Sequence, residues 1–196
     1  DSWGAKAGKK SNREYIENTQ QGDIPHASIM YHAKMSFFIA GVSRRVSHEL
    51  IRNYVGAARD EEGSPSQEST RYTHHPGCYV AHPWILTSDQ NELDSFRSAM
   101  QSNYDEYVEY IERQQARENQ TVGPDGQHFK TMRRKRIFES ASTYLSHACE
   151  TSWIWTTNPI ALAKLFRERG GSGADLEFRR LARTWAKVCV ARWPNL

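Results

Sequence analysis

Three cysteines in 196 residues, Cys78, Cys149 and Cys189, are too few and too far apart for a disulfide framework or a paired zinc motif. Free thiols in a reducing, cytoplasmic compartment are the simple reading. No apolar run reaches membrane length, and no signal-type stretch is present. Internal repeats are absent too. The net charge of +3 is too slight to argue for a nucleic-acid partner. The chain opens on Asp1 rather than Met, which points to a missing or processed N-terminus. What remains has the composition of a soluble globular protein. It is long enough for a single domain over residues 1–196, or for a small domain that oligomerises. Six Trp and nine Tyr suggest large aromatic contacts or a stacking site.

The stretch from Ser43 to Tyr72 holds most of the chemistry. Ser43 is a plausible helix N-cap, and Val42, Val46 and Leu50 recur at four-residue steps, so one helix face is apolar. Arg44, Arg45, His48 and Arg52 fall mostly on the other faces. Gly56, Gly63 and Pro65 then mark an irregular loop. After it comes a compact polar cluster, Ser66-Gln67-Glu68-Ser69-Thr70-Arg71-Tyr72. Hydroxyls, an amide and a guanidinium at such close spacing are the groups that hold a phosphate.

Around this stretch the pattern alternates between apolar periodicity and punctuation. Ser11 to Gly22 reads as a short helix, and residues 33–41 as a buried strand. Residues 73–78 look like a turn, followed by a short strand from Cys78. Leu93, Phe96, Met100, Tyr104, Tyr107, Val108 and Ile111 place a long amphipathic helix over 88–118, capped by Ser88 or Asp89. Gly123 to Gly126 is a turn, and Phe129 begins another helix. The aromatic, β-branched run Trp153–Thr157 is a strand. Asn158-Pro159 starts a helix that Gly170 stops, and Asp175 caps a last helix whose buried stripe is Leu181, Trp185, Val188 and Cys189. The fold class is therefore α+β, a small central sheet with strands near 33–41 and 150–157, packed by several helices. The pair His26/His32 and the group His74, His75, Cys78 and His82 lack paired-ligand spacing, so no metal is assigned.

Gly41–Arg52 followed by Ser64–Tyr72 resembles the flavin-dependent thymidylate synthases. Their signature is Arg-His-Arg, a short spacer, then Ser-x-Arg. Arg52 matches the first Arg, and Ser69 and Arg71 the closing pair. Asn53 and Tyr54 stand in place of the His and second Arg, and the spacer is longer. His26, Ser28 and His32 match a second family segment, in which Tyr31 replaces a Glu. Trp155, Asn158, Leu162 and Arg169 match a third, in which Ile160 and Lys164 depart. The resemblance spans nearly the whole chain and is most specific over 37–52, 66–72 and 153–169.

The resemblance implies that fold and a reductive methylation of uracil carbon 5 in dUMP or UMP. FAD is the implied cofactor, with methylene-tetrahydrofolate as carbon donor and NADPH as reductant. The implied nucleotide contacts are Glu49, Arg52, Gln67, Ser69, Thr70, Arg71, Arg136 and Arg169, with Arg169 activating the uracil. The implied flavin contacts are His26, Ser28, Arg52, Asn53, Gln67 and Asn158. A homotetramer with shared sites is implied, with no membrane or nucleic-acid partner. Glu49, where the family often has Gln, can only accept hydrogen bonds, which suits a ribose hydroxyl and repels phosphate. That substitution and the altered loop are most like a specialised uridylate methylase of polyoxin-type nucleoside-antibiotic assembly. No cysteine sits where its thiolate would be recognisably favoured, so an arginine against the uracil edge is the expected activating device. Two alternatives remain. One is a flavin or nucleotide binder without turnover. The other is a nucleic-acid module built on Lys130, Arg133, Arg134, Lys135 and Arg136, whose simplest reading is a solvated helix face.

Overall fold

The computed structural model describes residues 14, 28–54, 64–119 and 126–193. Its elements are α1 (Ser28–His32), β1 (Met35–Ser43), α2 (Arg44–Tyr54), β2 (Ser64–Gln67), α3 (Pro83–Leu86), α4 (Gln90–Asn119), α5 (Gly126–Ala141), a 3-10 turn (Ser142–Tyr144), β3 (Glu150–Thr157), α6 (Pro159–Arg169) and α7 (Leu176–Arg192). The fold is α+β, with a three-stranded sheet in the order β1-β3-β2. The expected helix over 11–22, apart from Glu14, and most of the turn over 123–126 lie outside the described residues.

Short polar side chains set where the helices begin. Ser43 Oγ accepts the Val46 N–H at 3.4 Å, Asp89 Oδ1 that of Glu92 at 3.0 Å, and Asn158 Oδ1 that of Ala161 at 2.9 Å. Asp175 Oδ1 accepts from both Glu177 and Phe178. Each cap satisfies amides that the first helical turn leaves over.

The described residues divide into two compact units of interleaved segments, one from those within 38–50 and 66–154, the other from those within 1–37, 51–65 and 155–196. In the first, α4 and α5 bury Tyr107, Ile111, Ile137, Phe138 and Ala141 as one cluster. Tyr110 donates its hydroxyl hydrogen to Ser140 Oγ at 2.9 Å, which pins the two helices together. Val42, Val46 and Leu50 are buried as their spacing predicts. In the second, Trp185 of α7 is the hub, edge-on to Phe37 at 4.9 Å, Trp155 at 5.4 Å and Phe166 at 5.8 Å. Ser36 and Thr156 join their hydroxyls at 2.8 Å between β1 and β3.

Four expectations change. The strand expected over 33–41 runs over 35–43 and is one-sided rather than buried, with Phe38 71% exposed. Burial passes from odd to even positions across Gly41, whose φ of 72° only glycine adopts freely, so that Val42 turns inward ahead of α2. Pro65 lies in β2 rather than in the loop, and β2 is an edge strand, where a missing N–H costs little. The short strand expected from Cys78 reduces to one bridge, Tyr79 to Cys149. Pro83 at the first helical position, with His82 Nδ1 accepting the Trp84 N–H, turns the chain into α3 instead. On α7 the buried apolar set is Phe178, Ala182 and Trp185, while Val188 is 55% exposed. The stripe follows the helical period to Cys189 and leaves 188 outside it.

Trp185→Ala removes the common partner of three rings, so it should lower unfolding stability by about 3–5 kcal/mol. Urea denaturation followed by circular dichroism checks this; a loss below about 1 kcal/mol would show that the rings do not depend on Trp185.

Candidate functional site

The polar cluster forms the end of β2 and a tight turn. Gln67 enters first, its amide nitrogen donating to Ser47 Oγ and Thr151 Oγ1, both at 3.0 Å. The Glu68 N–H then donates to Ser152 O at 3.0 Å, and the Arg44 guanidinium to Glu68 O at 3.1 Å. From there the chain folds back on Ser69. Its carbonyl accepts from the Tyr72 and Thr73 amides and from Thr73 Oγ1, and its Oγ accepts the Arg71 N–H at 3.3 Å. Ser69 is thus the hub of its own turn, and Arg71 and Tyr72 stand exposed at the tip.

Helix α5 borders that tip. Glu139 Oε2 pairs with Arg71 Nη2 at 3.2 Å, both side chains about half exposed. Lys135 Nζ stands 4.9 Å from the centre of the Tyr72 ring. Its hydrogen bonding and charge, with a smaller contribution from Arg71, hold the phenol below the ordinary tyrosine range. Arg134 stacks instead on Phe138 at 5.3 Å, and Arg136 is exposed. Consecutive helical residues are rotated by about 100°, so this run of cations does not share one face.

Behind the turn lies a cavity of about 280 Å³, lined among others by Arg44, Glu68, Thr70, Thr73, His75 and Ser152. Arg44 Nε is buried there and has no hydrogen-bond partner among the described residues. The sequence reading missed this residue as a site candidate. The available signal is a cation in the first helical turn, the end where the helix dipole disfavours it. His75 is buried, and its bonds fix the tautomer. Nδ1 accepts the Gly77 N–H at 3.1 Å, so Nε2 carries the hydrogen and faces Glu150 O at 3.4 Å. Burial, chiefly, pushes its pKa below the ordinary histidine value. Gly77 closes this loop with a φ of 79°, and a Cβ there would meet the Tyr104 ring at 3.0 Å. His74 packs on Tyr107 and Phe138, and His82 caps α3, so these side chains serve the fold. Among the described residues no group of three or more His, Cys, Asp or Glu is placed to hold a metal.

The remaining predicted site residues fall as follows. Glu49 is half-buried on α2. Arg52 and Asn53 lie in the last turns of α2 and Ser28 opens α1, all within helices whose side chains at these positions are outside the described residues, as is all of His26. Arg169 ends α6 half-buried, its guanidinium 5.6 Å from the Phe178 ring centre. Asn158 is fully buried, with Oδ1 given to the α6 cap. Gln67 has given its amide nitrogen and keeps only its oxygen as an acceptor. Of the implied flavin set only Gln67 and Asn158 have described side chains, and each already commits a polar atom to hydrogen bonds within the fold. Of the thiols, burial pushes Cys149 up to about 11 and raises Cys189, so neither is a ready nucleophile.

The family described as thymidylate synthase complementing protein matches residues 2–195. A flavin-dependent thymidylate synthase of Mycolicibacterium vanbaalenii is 34% identical over 160 residues, covering 82% of this chain and 59% of that protein. Its namesake in Mycolicibacterium gilvum is 32% identical over 174 residues, 89% of this chain and 64% of that protein. That of Mycobacterium sp. strain JLS is 31% identical over 185 residues, 94% and 68%. The chain thus spans less than two thirds of the length of the first two.

His75 gives this region a pH signature. Its folded pKa lies below its unfolded one, so between the two the unfolded chain binds more protons. The stability it contributes is complete above about pH 6.5 and is lost as pH falls below that. Urea midpoints measured from about pH 7.5 down to pH 5 should fall in wild type and fall less steeply in His75→Asn. Equal slopes would show that His75 is not the group titrating.

Proposed function

The chain belongs to the thymidylate synthase complementing protein family, and on that premise we propose that it methylates carbon 5 of a uridylate, dUMP or UMP. FAD is the proposed cofactor, with methylene-tetrahydrofolate and NADPH as co-substrates. The observation that carries the reading is the Ser69–Tyr72 turn. It presents a serine-organised backbone and an exposed guanidinium, a combination suited to a phosphate monoester.

In this reading Glu49, Gln67, Ser69, Thr70, Arg71 and Arg136 contact or position the nucleotide, together with Arg52 and Arg169. Arg169 activates the pyrimidine by stabilising negative charge on its edge, which leaves no need for a thiolate added to carbon 6. The high pKa of Cys149 and the raised one of Cys189 support that route. When bound, the flavin supplies one-carbon and hydride transfer that no side chain can perform. His26, Ser28, Arg52, Asn53 and Gln67 would reach it from several chains of a homotetramer, with Asn158 setting the start of α6. The Glu49 carboxylate favours a ligand with one more hydroxyl to donate, and so a ribose over a deoxyribose. That preference would mark a specialised uridylate methylase of nucleoside-antibiotic type.

The test is a single incubation with FAD, NADPH, methylene-tetrahydrofolate and equal UMP and dUMP, read by mass spectrometry. Methylated UMP in excess supports the proposal in full, and dUMP methylated alone removes the ribose preference. Flavin retained without product would favour a binder without turnover. Arg169→Ala should lower turnover by about a hundredfold or more, the scale of removing one charge-stabilising donor. Arg169→Lys separates two roles. A helix-end cation would be restored by Lys, whereas a planar contact to the uracil edge would not.

A further inference from the structure

Lys135 and Glu139 are four residues apart on α5, so they share a face and could pair with each other. Each instead reaches a neighbouring residue of the turn, Lys135 the Tyr72 ring and Glu139 the Arg71 guanidinium. Arg71 is the exposed cation at the tip of the turn, and the carboxylate on it lies at 3.2 Å, in ion-pair contact. A phosphate needs the same donors. Both partners are about half exposed, so water and salt weaken the pair and make it exchangeable.

We infer that Glu139 is a resident substitute for the ligand's anion. It holds Arg71 against α5 in the empty protein and is displaced when a phosphate-bearing ligand arrives. Lys135 keeps the turn beside α5 during the exchange, because its contact is with Tyr72 and not with Arg71. The device favours a doubly charged phosphate monoester, which outcompetes a carboxylate, over ligands with a single weak negative charge. It also makes Glu139 a determinant of affinity that touches no ligand. The inference rests on the reading of Arg71 as a phosphate contact.

Titration calorimetry of the full chain with inorganic phosphate, UMP and dUMP tests it. Glu139→Gln should bind each about threefold more tightly, the scale of freeing one half-exposed ion pair. Glu139→Asp keeps the charge and should stay near wild type. In an Arg71→Ala background the Glu139→Gln effect should vanish, which separates exchange at Arg71 from a general loss of negative charge. If Arg71→Ala weakens binding but Glu139→Gln does not tighten it, or tightens it equally without Arg71, the exchange is overturned while the phosphate contact stands. If Arg71→Ala leaves uridylate affinity unchanged, the contact itself fails and the exchange with it. Unchanged circular dichroism of Glu139→Gln, expected since Glu and Gln have similar helix propensity, shows that the comparison is between folded proteins.

Discussion

The capture of one amide nitrogen sets the geometry of the turn. Gln67 Nε2 donates to Ser47 Oγ and to Thr151 Oγ1, and so ties β2 to α2 on one side and β3 on the other. Each bond contributes only about 1 kcal/mol net, but losing the amide would leave two partly buried hydroxyls without it, which costs more. Because Gln67 is held, the Glu68 N–H meets Ser152 O, and the carbonyl of Glu68 meets Arg44. Only then does the chain have a fixed point from which Ser69 can fold it back. The exposed guanidinium of Arg71 is placed by buried polar contacts on neighbouring elements.

Electrostatics divides the site in two. The tip of the turn is wet, and its charges are in reach of one another and of ions. Tyr72 responds to Lys135 there because no apolar wall separates phenol and ammonium. The cavity behind the turn has buried His75 and Thr151 in its wall. Burial lowers the pKa of His75, and the Gly77 N–H donated to Nδ1 selects its tautomer and locks the loop. Arg44 Nε is buried in the same place and, like Tyr79 OH and Trp153 Nε1 elsewhere in this unit, has no hydrogen-bond partner among the described residues. Cations that stand together in the sequence of α5 have been dispersed by the helical rotation to different partners, one to Phe138 and one to Tyr72.

Local chemistry was readable wherever one residue decides one bond. Asn158 and Asp175 were legible as caps, because a short polar side chain before an apolar run has few other uses. The long helix α4 and the apolar face of α2 followed from periodicity alone. Errors arose where neighbours in space outweigh neighbours in sequence. Pro65 looked like a loop residue because its tolerance in β2 depends on that strand being an edge. The strand expected from Cys78 lacked the partners that would have made it more than one bridge.

The candidate site shows the same boundary. By itself the sequence determined the residue types that a phosphate and a uracil edge require, and their grouping into short segments, because composition and spacing are one-dimensional properties. It also carried the family resemblance that the comparison bears out. Only the tertiary structure decided what each of those side chains has already been committed to. Gln67 is held by hydrogen bonds, Arg71 by Glu139, and Arg44 faces a cavity that no periodicity announces. Whether a donor is available to a ligand depends on its partners, and those partners lie tens of residues away along the chain, brought near by packing.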